Sequence, residues 1–402
     1  MKLTEQHQIN SKHEYYKECD ELCFLSKNLY NAANFVVRQE FFKSNTYLTA
    51  SEIQKLFQGV SVDYLALPAK VSQQTLRVLD SNWKSYFKSI KDWSKNKDKY
   101  LGKPKLPKYL HKNKGRFISV YDAQAISKKY LKQGIINLSG TNIKIKLQHT
   151  DNAIKQARIV PKNRLYVIEI IYEQEIQDLQ LNKNAVIGID IGLNNLCAVG
   201  SNNKELLPFL INGKPLKSIN HYYNKKKAEL QSCLTDTKTS SAIINLSNKR
   251  NNKVKNYLHA TSKYIVDYCL TNDIGKIIIG HNKGWKQKIN IGKRNNQNFV
   301  SIPYNILIDQ ITYKSELVGI EVVVVEESYT SKCSFLDKEK PTKQKIYIGK
   351  RVKRGLFKSS TGILINADIN AAYNIIRKVI SNFFPKKDEI KGFAVSPKLV
   401  TA

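Results

Sequence analysis

At 402 residues and 42% hydrophobic content, the chain is long enough for two or three domains with a sizeable core. Its 66 Lys and Arg against 33 Asp and Glu leave a formal charge of +33, a surplus that repels itself in a folded chain unless a polyanion neutralises part of it. Nucleic acid is the usual partner for such a charge, with binding that weakens as salt rises. Membrane and secreted classes fit poorly. No apolar run approaches the ~18 residues of a span, and Met1–Asn10 lacks the apolar centre of a signal peptide. Cys19, Cys23, Cys197, Cys233, Cys269 and Cys333 show no disulfide framework spacing. Cys19 and Cys23 lie one helical turn apart in an apolar pattern and read as core thiols in a reducing compartment.

The first hundred residues carry a helical period. Leu22, Leu25, Leu29, Ala33 and Val36 recur at three- and four-residue steps, as do Leu76, Leu79, Trp83, Phe87 and Ile90. Gly59–Asp63 and Pro68 separate these helices. From Lys84 to Arg116 runs a basic stretch interleaved with aromatics. Lys84, Lys88, Lys103, Lys105, Lys108 and Arg116 are its candidate phosphate contacts, and Tyr86, Trp93, Tyr100 and Tyr109 its candidate stacking rings. Pro104 and Pro107 make its middle an extended connector.

Between about Phe117 and Glu175 the period changes to two. The runs at 135–138, 143–147 and 165–170, punctuated by Gly134, Gly140 and Pro161, predict a small β-rich module, read as a barrel. Gln177–Asn184 reads as a polar linker. A buried strand at Ala185–Ile189 then runs into Asp190, and strands at 196–199 and 206–211 complete a meander. A basic helical segment covers 218–270, followed by a strand at 276–279, a helix at 303–318, a strand at 320–325 and a helix at 369–379. This βββ-α-β-α-β-α order is that of an RNase H-like domain, whose sheet places its strands 3-2-1-4-5.

Phosphodiester cleavage on such a sheet needs carboxylates holding two Mg2+ ions ~4 Å apart, one activating water and one stabilising the leaving oxygen. Asp190 ends an otherwise apolar strand, where an uncompensated charge is costly. Asp368 opens the last helix, where it could serve only as a cap, but Ala371 and Ala372 permit that helix to approach the sheet closely. The fourth strand runs into Gly280-His281-Asn282 with no acid. The fifth ends Glu326-Glu327, and neighbouring strands lie ~4.8 Å apart, so an acid there reaches the same place. Alternation lets only one of the pair face inward. Glu327 is the candidate and Glu326 the alternative.

These residues resemble a family. Gly188–Leu196 (GIDIGLNNL), Ile302–Val322, Tyr329–Lys332 (YTSK) and Asn366–Lys378 (NADINAAYNIIRK) are similar to TnpB nucleases, relatives of type V CRISPR effectors and of Fanzor proteins. Upstream, Ser26–Gln39, the helix around SQQTLRVLDSNWKSYFK and the KPKLPKY segment extend the likeness over nearly the whole chain. The resemblance implies a multidomain α/β protein: a helical recognition domain at 13–100, a β-rich wedge domain at 101–182 with its first strand in 1–12, and a split RuvC-like nuclease domain at 183–402. It also implies a guide RNA from the transposon end, a double-stranded DNA target, Mg2+, and a prokaryotic cytoplasmic setting near the nucleoid. Asp190 and Asp368 match the family's first and last catalytic acids, and Glu327 matches an acid that some branches carry just before the YTS motif. The family's two Cys pairs between that motif and the last Asp are reduced here to Cys333. A structural zinc site needs four ligands, so no zinc is expected. An inserted basic flap at about 330–366, with Lys350, Arg351, Lys353 and Arg354, is the expected strand-holding replacement.

Two other functions compete with an RNA-guided Mg2+-dependent endonuclease: a nuclease-inactive RNA-guided DNA-binding repressor, kept open by Gly280, and a DDE-type recombinase. The N-terminal half looks like a holder of RNA and heteroduplex, and in guided systems base pairing reads sequence while protein reads duplex shape.

Overall fold

Residues Met1–Gln174 and Glu175–Ala402 form separate folding units. The computed structural model describes the chain except residues 150–152, 236, 283, 285–291, 384–393, 395 and 402.

In the first unit, β1 (Lys2–Ile9) precedes α1 (Tyr16–Ser44), whose Leu22, Leu29, Ala33 and Val37 are buried at the predicted spacing. A Thr49–Glu52 capping box starts α2 (Ala50–Phe57). α3 (Val62–Leu65) follows, and Pro68 precedes α4 (Ala69–Lys95). Then come β2 (Ser119–Asp122), α5 (Lys128–Leu131), β3 (Ile135–Asn137), β4 (Lys144–Lys146), β5 (Ala153–Lys162) and β6 (Leu165–Glu173). The expected barrel is, among the described residues, an open antiparallel sheet in the order β1-β6-β5-β2, with β3 and β4 as a separate hairpin. The sequence reading lacks β5. Asn163 and Arg164, which join it to β6, both have positive φ, so the tight hairpin turn is built without the glycine that usually marks one.

Helices and sheet of this unit share one hydrophobic core that contains Trp83, Cys19 and Cys23. Burial pushes the Cys19 thiol up to about 12, as suits a core thiol. The proline-bearing connector lies along α1. Asn31 donates to the Leu110 carbonyl at 2.9 Å and Asn34 to that of Pro107 at 3.1 Å.

In the second unit, the segment read as a linker, Gln177–Asn184, is not free. Gln177 N–H donates to the Leu317 carbonyl (2.9 Å) and Gly275 N–H to that of Asn182 (2.9 Å), anchoring the segment at the unit's edge. The unit then contains β7 (Val186–Ile191), β8 (Asn195–Ser201), β9 (Phe209–Asn212), α6 (Lys214–Ser232), α7 (Ser241–Thr271), β10 (Lys276–Gly280), α8 (Lys293–Val300), α9 (Tyr304–Glu316) and β11 (Glu321–Val325). β12 (Lys350–Lys353), β13 (Leu356–Lys358) and β14 (Leu364–Asn366) form a three-stranded sheet ahead of α10 (Ala367–Val379), and β15 (Lys398–Val400) ends the chain. The main sheet has the order β11-β10-β7-β8-β9-β15. Its first five strands reproduce the expected 3-2-1-4-5 order, with β7–β8–β9 antiparallel and β10 parallel to both β7 and β11. Beyond the sequence reading lie α8, the break between α6 and α7 in the basic segment, the β12–β14 sheet within the expected flap, and β15 paired to β9.

Glycine brings α10 onto the sheet. A β-carbon at Gly188 would lie 2.3 Å from the Ala372 carbonyl oxygen and 2.6 Å from Ile376 Cγ1. Because a backbone atom cannot swing aside, Gly188→Ala is expected to destabilise the second unit by about 1–3 kcal/mol, read as a lower urea midpoint with unchanged slope.

Candidate active site

β7 is central, flanked by β10 and β8, and Asp190 is its fifth residue. The Asp190 side chain is half-buried. Its carboxyl is pushed well above the usual carboxylate range, first by burial and then by the charges of Asp368 and Glu327, with Arg351 opposing. Acids far apart in sequence therefore share one electrostatic site.

Glu326 and Glu327 follow the end of β11 and face differently. Glu326 is exposed and accepts from the Ser328 hydroxyl, whereas Glu327 is half-buried. Asn282, two residues past β10, clamps Glu327 from both sides. Its Nδ2 donates to Glu327 Oε1 at 3.1 Å, and its Oδ1 accepts from the Glu327 N–H at 3.1 Å. Among the described residues, Glu327 Oε2 is buried without a hydrogen-bond partner. Burial raises the Glu327 carboxyl to about 7, against the opposing charge of Lys378. A β-carbon at Gly280 would stand 2.4 Å from Ile375 Cδ1 and 3.2 Å from Glu327 Cβ. The space that a side chain at the end of β10 would enter is thus taken by Ile375 and Glu327.

Asp368 is free of capping duty. Asn366 is the N-cap of α10, its Oδ1 accepting from the N–H groups of Asp368 (3.0 Å) and Ile369 (3.2 Å). The Asp368 carboxylate instead accepts from Asn195 Nδ2 at 2.7 Å and from Arg351 at 3.5 Å. Beside it opens a groove of about 570 Å³, lined by Gly192–Asn195, Arg351, Arg354, Gly355 and Asp368. Among the described residues, no three His, Cys, Asp or Glu side chains converge tightly enough to hold one ion. The donor set nonetheless suits divalent cations: all oxygen, with one buried carboxylate oxygen lacking a donor and burial holding two acids above their ordinary range.

Lys350, Arg351, Lys353 and Arg354 are exposed on and just after β12. In the first unit Lys84, Lys88, Lys103, Lys105 and Lys108 are exposed; Lys84 pairs with Asp80 at 2.7 Å, and Lys103 lies over the Trp93 ring. Arg116 departs from its expected role as a phosphate contact. Its guanidinium forks onto Asp20 with two 2.8 Å bonds and donates to the Asn113 and Gly115 carbonyls, so it ties the connector to α1. Asn282 and Asn195 are absent from the sequence-based set. Asn282 lies in the Gly280–Asn282 stretch where an acid was sought, and Asn195 in the GLNN turn after Asp190.

A mixed sheet with acids from its central strand, from the end of its outer strand and from the helix above it defines an α/β unit with a carboxylate site. A family model described as a probable transposase (OrfB_IS605) matches residues 169–286, and a model of the Cas12f1-like TNB domain matches residues 304–375. The CRISPR-associated endodeoxyribonuclease Cas12f2 of a Micrarchaeota archaeon is 29% identical over 234 residues, 54% of this chain and 41% of that protein. Cas12f1 of Sulfoacidibacillus thermotolerans is 27% identical over 232 residues, 53% of this chain and 50% of that protein. The chain thus spans about half the length of the curated relatives it matches. A solved Cas12f1–sgRNA–target DNA complex shares the fold at TM-score 0.56 and 15% identity, over 90% of this chain and 82% of that one. The mini RNA-guided endonuclease CRISPR-Cas phi3 does so at 0.52 and 12%, over 96% and 93%. Over these parts the chain is similar to the OrfB_IS605 probable transposases and to Cas12f proteins. Among the described residues, no helix is long and apolar enough to cross a membrane.

The raised carboxyls give a pH signature. An acid whose pKa is higher folded than unfolded favours folding fully below its unfolded value, about 4.3, and loses that contribution as pH rises through its folded value. For Glu327 that window ends near its folded value of about 7, and Asp190 acts in the same direction. In chelator, Tm is therefore expected to fall between about pH 5 and pH 8. Mg2+ should raise Tm at pH 8 and have little effect at pH 5, and Glu327→Gln should flatten the slope in chelator.

Proposed function

We propose that this chain is an RNA-guided DNA endonuclease whose second unit is an RNase H-like, RuvC-type nuclease domain. The observation that carries this reading is Glu327, fixed by Asn282 with Oε2 buried and unpaired, in the same electrostatic site as Asp190 and Asp368. Asp190, Glu327 and Asp368 would hold Mg2+, which supplies an activated water and stabilises the leaving oxygen of the phosphodiester. Asn282 orients Glu327, and Asn195 orients Asp368. Arg351 and Arg354 flank the groove where a strand's phosphates would lie, and guanidinium forks suit them. Lys84, Lys88, Lys103, Lys105 and Lys108 offer a sequence-independent surface for guide RNA and heteroduplex. The wedge and recognition roles of the first unit, a second Mg2+, a metal-free Cys333 segment and a cytoplasmic setting belong to the same proposal. The names of the curated relatives, both endodeoxyribonucleases, favour cutting over silent binding.

The test is purification with co-expressed RNA, sequencing of that RNA, and cleavage of guide-matched duplex DNA in Mg2+. Loss of a metal ligand removes several kcal/mol of transition-state stabilisation, so Asp190→Ala, Glu327→Ala and Asp368→Ala are each expected to lower cutting by roughly 10²-fold or more. Retention of RNA and target should be nearly unchanged, and Glu326→Ala should cut normally. Wild-type protein that binds its target without cutting is a repressor; strand-transfer products would mark a recombinase.

A further inference from the structure

α10 carries two different faces. At ~100° per residue, Asp368, Ala372, Ile375 and Ile376 fall within about 100° of one another on the side toward the main sheet. Asn370, Asn374 and Arg377 fall on the opposite side, at about 180–240° from Asp368. These three polar side chains are buried, Asn370 and Asn374 fully so. Three polar groups are costly there unless each has a partner.

Their partners lie in the segment that follows Glu327. Asn374 Nδ2 donates to the carbonyls of Thr330 (2.9 Å) and Cys333 (2.8 Å). Asn370 Nδ2 donates to the Cys333 carbonyl (2.9 Å), while its Oδ1 accepts from the Phe335 N–H (2.9 Å). Arg377 donates to the carbonyls of Glu339 (2.7 Å) and Lys338 (3.1 Å), and to Asn374 Oδ1 (3.3 Å). That last bond fixes which way the Asn374 amide points. Thr330 closes the chain of contacts: its hydroxyl donates to the Glu327 carbonyl at 2.7 Å and its N–H to the same oxygen at 3.2 Å. Two side chains, Asn374 and Thr330, thus bridge the helix that bears Asp368 to the backbone that bears Glu327.

We infer that Asn374 is a positioning residue, which through Thr330 sets where Glu327 stands relative to Asp368 and so tunes the affinity of the site for Mg2+. The inference rests on the nuclease reading above. Neither residue touches a carboxylate of the site; both act on main-chain carbonyls. Asn374→Asp keeps the shape and removes the two donors, leaving the Thr330 and Cys333 carbonyls without them. Loss of an outer contact behind a metal ligand weakens metal affinity by ~10–100-fold.

The test measures the Mg2+ concentration for half-maximal cleavage and, separately without nucleic acid, the Mg2+ concentration for half of the Mg2+-induced rise in Tm. For Asn374→Asp both are expected to increase together by about 10-fold or more, with cleavage largely recovered at saturating Mg2+. Thr330→Val, which removes only the hydroxyl link and conserves volume, should shift both in the same direction. Leu336→Ala, a core truncation in the same segment, should lower Tm without moving either Mg2+ midpoint. Wild-type midpoints in Asn374→Asp, or in Thr330→Val if the first variant does not fold, overturn the inference. A wild-type protein that neither cuts nor gains Tm with Mg2+ overturns the nuclease reading itself.

Discussion

Most of the second unit depends on one close approach, that of α10 to β7 at Gly188. No side chain fits between the Ala372 carbonyl and the Gly188 backbone, and Ala371 and Ala372 bury no bulk that would hold the helix off. The result is that Asp368, at the helix start, acts electrostatically on Asp190, at the strand end. Larger residues on either surface would separate the acids by a side-chain layer and remove their mutual effect. The same helix presents Ile375 to Gly280, which fills the end of β10 and leaves the acid to come from beyond β11.

That acid cluster sits in a chain of net charge +33, yet few of the cations reach it. Arg351 lies beside Asp368 and Lys378 opposes the rise of Glu327, but burial dominates at both Asp190 and Glu327. Burial, joined at Asp190 by the charges of Asp368 and Glu327, holds these carboxyls from ionising, and a divalent cation would relieve that cost. The positive surface elsewhere suits a polyanion. Arg116 shows how the count of charges misleads when taken residue by residue. It belongs to the basic run by sequence and to a half-exposed ion pair with Asp20 by structure.

The helical period of α1 and α4, the strand order of the main sheet, and the placement of Asp190 near a strand end and Asp368 at a helix start were legible because each rests on local pattern: apolar spacing, an acid at a strand end, small residues at a helix start. Alternation let only one of Glu326 and Glu327 face inward without saying which; Glu326 is exposed and Glu327 half-buried. The β5–β6 hairpin was hidden because Asn163 and Arg164 take the positive-φ turn without glycine. The Gln177–Asn184 segment read as a linker because its hydrogen bonds go to loops around Gly275 and Leu317 that composition cannot connect to it.

By itself the sequence determined the charge, the periodicities, the order of the first five strands of the main sheet and which acids were candidates, all read from residues near one another along the chain. Only the tertiary structure decided what stands behind those acids. Asn282 on Glu327, Asn195 on Asp368 and Asn374 on Thr330 join positions from 44 to 173 residues apart. An asparagine carries no sign of its partner in its own neighbourhood. Its amide is neutral, donates and accepts alike, and acquires a role only when folding buries it against one particular carbonyl or carboxylate.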